Sequence, residues 1–546
     1  MAILAIIGLL IVLLVALIVF FVIYQQKQHS KYFHARNVTF LDIGLSYTIK
    51  FFMGKLTLID IEKIQYEKAT ETGKKFVGIS ELTSPSYYIT DLELMKHIYV
   101  KDSDHFVDRR SITTSTSDIL FKKMLISLEG EQWKGMRSKL SPTFTTGKIR
   151  KMFDIFDKSS QNMCNYVRKR VGSDGGEFDI CEAYSKYAMD VIASCAFGID
   201  SKSFDCEPGV SSEFEEMGKK IQLKVTLSLA LKLLVVQVAP KLANMMGLQA
   251  IDTGPQDYFK KVITGVMKRR RDTGERHNDF LQLMMDAQQG LLKSEENSKE
   301  TMEVMTGSKE DNTGNSKQVF SPNDEADGES PTKFTFDDDD IVANAVLFLM
   351  AGYDTTQSLL IFAAYMLALD QDAQERLLEE VKSTFDANGG SLTYDGVIGM
   401  TYLDCVLNET LRYYPPALRN ERLCTKDYKI PGTDTIIEKG LIVGLPIYGM
   451  QRDKQYYENP EKFDPERFLP ERKAERNPFT FAPFGHGPRN CIGMRFALTE
   501  VKAVIATLIY NFKLEPGTKT EIPVKMSNTS TLKPQNGMWL KISPRS

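Results

Sequence analysis

Residues 484–493 read FGHGPRNCIG, and the apolar run MRFALTEVKAVIATLIY follows at 494–510. The glycine- and proline-rich loop ends where a helical run begins, so Cys491 stands at a helix N-terminus. Amide dipoles at such an end favour the thiolate, the form that binds metal. Arg489 adds positive charge two residues away. Gly487 and Gly493 are expected to let a flat cofactor approach the backbone. Taken alone, a cysteine at a helix start is more often a small buried side chain. Here Phe484, Gly487, Arg489, Cys491 and Gly493 specify five positions of one short loop, which makes the motif specific.

The composition around this loop is that of a globular protein. The chain has 546 residues, with 42% hydrophobic and 25% charged side chains, which excludes a mostly disordered, collagenous or polytopic membrane protein. The net charge of −3 disfavours a general nucleic-acid binder. The seven cysteines, Cys164, Cys181, Cys195, Cys206, Cys405, Cys424 and Cys491, contain no C-x-x-C pair. A disulfide scaffold or a zinc ribbon is therefore disfavoured, and a reducing compartment fits better.

Residues 1–24 carry no charge and no strongly polar side chain. As a helix they would reach roughly 36 Å, against a hydrocarbon core of ~30 Å. A cleaved signal peptide is disfavoured by the missing basic n-region and cleavage site. Lys27, Lys31 and Arg36 follow the segment, so the positive-inside rule places the rest in the cytosol. Residues 25–60 are a linker and membrane-proximal segment. From about 60 to 290 the pattern is mainly helical, including an amphipathic stretch at 177–200 that ends on Gly198. Residues 293–332 are Ser-, Glu-, Asp- and Asn-rich and read as a flexible surface insert. Asp337 to Asp340 then favour the start of a long helix over 341–369. Its centre holds a polar notch, Gly352, Asp354, Thr355 and Thr356, which is expected to kink it. Short strands and turns dominate after 425. The expected fold class is mainly α with small β-sheets (α+β).

The motif F-x-x-G-x-R-x-C-x-G resembles the haem-binding loop of the cytochrome P-450 family, the haem-thiolate monooxygenases. Four more matches follow in the family's order. AGYDTT at 351–356 resembles the oxygen-binding notch. Glu409 and Arg412 match E-x-x-R, and Arg467 lies in P-E-R-F at 465–468. Trp133 and Arg137 match W-x-x-x-R. LSPTFTTGKIRKM, MDVIASCAFGI and HFVDRR are similar to the microsomal members, closest to insect detoxification enzymes.

The resemblance implies a cytochrome P-450 fold at 61–546 on a single N-terminal transmembrane anchor, 1–24. It implies haem b with Cys491 as the axial iron ligand, Phe484 packed near the sulfur, and loop amides, Gly485 among them, around it. Trp133, Arg137, Arg109, Arg422 and Arg489 would cage the two propionates. Asp354 and Thr355 would be the catalytic acid–alcohol pair, and Gly352 would leave room for dioxygen. Glu409, Arg412 and Arg467 would form a structural buried triad. The pocket would come from 106–125, 212–250, 343–355, 415–422 and 527–537, with Phe348 and Leu349 close to the notch.

The implied reaction places one oxygen atom of O2 into a lipophilic small molecule, a xenobiotic such as an insecticide or plant toxin, or an endogenous lipid or hormone. The chain has no G-x-G-x-x-G after a strand and no flavin module, so electrons must arrive from another protein. The resemblance implies that they come from NADPH, indirectly, through NADPH–cytochrome P-450 reductase in the endoplasmic reticulum membrane, with cytochrome b5 a further partner. Lys134, Lys139, Arg472, Lys473 and Arg476 are expected on the face that steers an acidic donor. A peroxide isomerase needing no reductase and a non-catalytic haem-binding protein are the alternatives. Two departures stand out: the Pro-rich hinge after the anchor is missing, and Gln451 and Lys454 replace a His and a Pro, with little consequence expected.

Overall fold

The run of aspartates builds its own cap. Asp337 and Asp340 each accept a hydrogen bond from the other's backbone N–H, at 2.8 and 2.9 Å, and close a capping box. From it the helix Asp338–Leu369 runs unbroken for 32 residues, so the notch does not interrupt it. The structure, a computed structural model, describes residues 20–81, 84–110, 119–206, 209–222, 253–291 and 336–545, with scattered positions between 229 and 248. Residues 1–19 of the expected anchor 1–24, the insert 293–332, and parts of the pocket segments 106–125 and 212–250 lie outside the described residues.

Helices Ile180–Ile192, Thr401–Tyr413 and Met494–Asn511 pack directly around this central helix, and Thr146–Val171 packs on the first and last of them. Beyond Asp340 the central helix is buried or half-buried everywhere except Ala351 and Thr355. Among the described residues it is the one helix long and apolar enough to cross a membrane. Its burial inside the helical core makes it the protein's centre.

The stretch 177–200 divides. Gly176–Asp179 is a strand paired with Trp539–Pro544, helix Ile180–Ile192 follows, and a π-helical turn Ala193–Phe197 stops at Gly198 with φ 64°. The helical reading of 60–290 also misses the hairpin Phe76–Glu81 and Ser84–Ile89. Its strands carry buried neighbours at successive positions, so they lack the alternation that signals a one-sided sheet. The hairpin belongs to a five-stranded sheet in the order Phe40–Leu41, Phe76–Glu81, Ser84–Ile89, Ile442–Pro446, Arg419–Leu423. This sheet has its own apolar core, separate from the helical one.

The segment after the anchor docks on that sheet. Residues 20–34 are helical, and Phe33 is fully buried against Tyr87, with ring centroids 5.2 Å apart. A Cβ on Gly78 would overlap the Phe33 ring. His29 Nδ1 lies 2.7 Å from Ser80 Oγ, and Arg36 pairs with Glu438 at 2.6 Å. A helix seated directly on the sheet takes the place of the missing Pro-rich hinge.

Three charges are buried together near the C-terminal end of helix Thr401–Tyr413. Arg412 donates through Nε and Nη2 to both oxygens of Glu409, at 2.7 and 2.8 Å. Its remaining donors reach the carbonyls of Gln451 and Pro460. Arg467 approaches Glu409 at 3.4 Å. Arg412 and Glu409 are completely buried, so removing one partner strands the other charge. Replacing Arg412 with Met is expected to cost about 3–5 kcal/mol. Arg467→Met should cost less, because its contact with Glu409 is longer. Urea unfolding of the two variants side by side checks the order.

Candidate active site

The loop before helix Met494–Asn511 is folded back on itself. Gly485 N–H donates to Ala482 O, Asn490 N–H to Gly487 O, and Cys491 N–H to Phe484 O at 2.9 Å. Gly485 and Gly487 have φ of 70° and 72°, a region that L side chains disfavour. A Cβ on Gly487 would also run into the Tyr99 carbonyl. The expectation that Gly487 makes room for a cofactor is therefore corrected: its missing side chain makes room for the protein's own backbone. Phe484 is half-buried against the helical core.

Cys491 is the one exposed cysteine of the seven. Burial nevertheless raises its pKa, against the Gly493 N–H that hydrogen-bonds the sulfur and the positive charges of Arg137 and Arg109. A thiol that is accessible and yet deep lines an internal hollow. The buried cysteines differ: burial pushes Cys164 up to about 12 and Cys405 and Cys424 up to about 11. Cys491 combines exposure with an amide donor and two guanidiniums that favour its anion.

Four arginines crowd beside it. Arg137 donates to Asn490 O and Oδ1, and Arg109 Nη2 to Arg489 O at 2.9 Å. Arg422 Nη1 donates to Glu421 O. Burial lowers the pKa of all four, Arg137 and Arg422 to about 10 and Arg489 to about 9, and Arg109 depresses each of the others. Asp108, 3.2 Å from Arg489, is the carboxylate paired with this group. Glu421 is already held by Arg419 and Arg110. The cluster has an excess of buried positive charge that calls for further anionic groups.

Arg489 differs from the other three. Its Nε and Nη2 donate to Val107 O, Asp108 and Leu128 O, and it lies 4.0 Å over the Trp133 ring. Most of its donors brace the loop. Trp133 is buried beneath it.

On the central helix, Ala351 and Thr355 are exposed, with Leu347, Met350 and Asp354 half-buried on the same side. These positions, spaced three and four apart, form one face open to a hollow within the helical core. Thr355 Oγ1 donates to Ala351 O at 2.7 Å. Gly352 is half-buried, and a Cβ there would overlap Ile192 Cδ1, so its missing side chain lets the two helices pack closely. Phe348 and Phe496 meet through Phe280, at 5.6 and 5.1 Å, and join the notch helix to the Cys491 helix.

Glu500 and the role of Lys533 escaped the sequence reading, and the expectation that Gln451 has little consequence is corrected. Gln451 is completely buried. It donates to Leu411 O and Arg412 O and accepts from Ala482 N–H, so it links the Glu409–Arg412 helix to the thiol loop. Glu500 is buried on the Cys491 helix, 3.4 Å from Thr356 Oγ1, and burial pushes its pKa up to about 8. Lys533 reaches Asp354 Oδ1 at 2.5 Å. A glutamine substituting for a histidine carried no signal of burial, and nothing in one sequence pairs positions 179 apart. Among the basic residues expected on the donor face, Arg476 is half-buried, donates to Arg467 O and stacks on Tyr457 and Phe468. It is a structural residue.

The family profile described as "Cytochrome P450" matches residues 47–314 and 315–542. The chain belongs to the cytochrome P450 family. It is 33% identical to cytochrome P450 9e2 of Blattella germanica over 90% of this chain and 91% of the relative. It is 33% identical to probable cytochrome P450 9f2 of Drosophila melanogaster, over 94% and 96%. Cytochrome P450 3A31 of Mesocricetus auratus shares 36% over 86% and 85%. The chain is a microsomal-type P450 close to insect members, and its cofactor is haem b. The residues fit that group: an accessible thiol with an amide donor sits beside guanidiniums in excess, which suits a flat porphyrin with two carboxylates.

Two outcomes test this P450 site. Cys491→Ser is expected to remove the strongly red-shifted ferrous–carbonyl Soret band that thiolate ligation gives. Glu500 supplies a pH signature. Between its ordinary value of 4.5 and about 8 the folded state keeps a proton that the unfolded chain has lost. Stability contributed by this group is complete below 4.5 and falls by about 1.4 kcal/mol per pH unit up to about 8. Glu500→Gln should remove that slope, so its stability relative to wild type should rise with pH across this window and level off above it. Urea midpoints measured from pH 5 to 9 check this.

Proposed function

We propose that this P450 is a reductase-dependent monooxygenase of lipophilic small molecules, with xenobiotics as its main substrate class. Haem, once bound through Cys491, supplies the activation of dioxygen. The chain's own residues do the rest. Arg109, Arg137 and Arg422 hold the carboxylate edge of the cofactor by charge. Leu347, Met350 and Ala351 offer the guest an apolar wall. Thr355 presents a hydroxyl to the hollow, and Asp354 beside it moves protons to that hydroxyl through water.

The carrying observation is the exposed Thr355, next to Asp354, on an otherwise buried helix. Peroxide isomerases of this fold generally lack the acid–alcohol pair, so its presence favours monooxygenation. The electrons come from NADPH through a reductase in the endoplasmic reticulum membrane, with cytochrome b5 as a further donor. Lys134, Lys139, Arg472 and Lys473 are the residues we assign to steering them. Residues 1–24 anchor the 61–546 catalytic body with its face to the cytosol.

The test is turnover of a panel of lipophilic substrates with purified reductase and NADPH, read as a mass gain of one oxygen. Failure of every substrate in a reducible, carbon-monoxide-binding protein would overturn the reading. Thr355→Ala leaves a small void, so folding and substrate binding should survive. Product should fall by ~10²-fold, the scale of losing a positioned proton donor, while NADPH consumption continues and hydrogen peroxide accumulates. Unchanged coupling of NADPH to product would make the notch purely structural.

A further inference from the structure

Asp354 is held from a distant part of the chain. Lys533 Nζ lies 2.5 Å from Asp354 Oδ1, and both side chains are mostly buried, at 20% and 15% exposure. Lys533 arrives on the turn that follows the Cys491 helix and the strand Phe512–Pro516. That turn is braced: Ser527 donates to Lys533 O from its N–H at 2.8 Å and from its Oγ at 3.0 Å. Thr529 Oγ1 donates to Thr531 O, Met526 and Pro534 form a bridge, and Leu532 is buried beneath. The backbone of Lys533 is thus tied down, and its ammonium is aimed into the helical core.

We propose that Lys533 is the positioning residue for Asp354: it holds the carboxylate at the edge of the hollow, so that proton delivery depends on the C-terminal turn. This inference rests on the monooxygenase reading of Asp354 and Thr355. The surroundings of the pair single out this contact. Burial raises the Asp354 pKa, and Lys533 is the charge that opposes it. Tyr353 Oη is spoken for by Ser185 Oγ at 2.7 Å, which in turn meets Glu215 Oε1 at 3.1 Å. Glu215 is itself paired with Lys219 at 2.6 Å and Lys186 at 3.5 Å. Gln222 Oε1, 3.5 Å from Lys533 Nζ, is a neutral second acceptor. Among the described residues Lys533 is the cationic partner of this buried carboxylate, and such a group turns where its partner holds it.

The experiment is a double-mutant cycle read as product formed per NADPH consumed. Lys533→Met should lower this ratio by roughly tenfold, within the ~10²-fold that misplacing a catalytic group costs. Lys533→Arg, which keeps the charge, should restore most of it. In an Asp354→Asn background the same Lys533→Met change should have no further effect, because a positioning residue acts only through its partner. A second readout is independent of turnover. The infrared carboxylic-acid band that disappears in Asp354→Asn should persist to higher pH in Lys533→Met, since a buried acid without its cation resists ionisation. Equal losses in both backgrounds, full coupling in Lys533→Met, or an unmoved infrared titration would each overturn the proposal. If the wild type makes no product, the monooxygenase reading fails instead, and the infrared titration still decides whether Lys533 controls Asp354.

Discussion

A guanidinium with no exposure to water must have every strong acceptor it needs inside the protein, and Arg412 finds them on three separate segments. Glu409 comes from its own helix, Gln451 O from the stretch after strand Ile442–Pro446, and Pro460 O from the loop that carries Arg467. Satisfying this charge therefore fixes three parts of the chain relative to one another. Gln451 extends the constraint, because its side chain reaches Ala482, the residue from which the thiol loop departs. The position of Cys491 depends on a buried charge far from it in sequence.

The same logic of buried charge runs through the site. Four guanidiniums, each with its pKa lowered by burial and three of them also by Arg109, stand around an accessible thiol with one paired carboxylate, Asp108. Such a cluster is unfavourable until anions join it, and the two carboxylates of a haem are groups that would suit it. Cofactor binding and stability of the body are consequently linked, as for any ligand that binds only the folded state. Arg489 also braces the loop, through Nε and Nη2, to residues 107–108 and 128.

On the distal side the geometry separates two jobs along one helix. Tyr353 and Thr356 face inward, to Ser185 and Glu500, and keep the helix seated. Ala351 and Thr355 face the hollow, and Asp354 lies between, held by Lys533. The intrahelical bond from Thr355 to Ala351 keeps the threonine hydroxyl in place without breaking the helix. Gly352 permits this arrangement by letting Ile192 pack close.

The family, the thiol loop ahead of its helix, the capped central helix and the Glu409–Arg412 pair were all legible in the sequence. Each rests on residues close together in the chain: a loop leading into a helix, a run of aspartates before an apolar run, a spacing of three on one helix face. Local chemistry is enough to read such features. The hairpin at 76–89, the strand at 176–179, the true neighbours of Gly352 and Gly487, and the partners of Gln451 and Arg476 were decided by tertiary structure. So was the hold of Lys533 on Asp354. In each case the outcome depends on which distant segment comes to rest against the residue, and burial there changes what a glycine spares or what a charge must find. Residue type and spacing announce a site along the chain, whereas packing between distant segments decides what each of its residues touches.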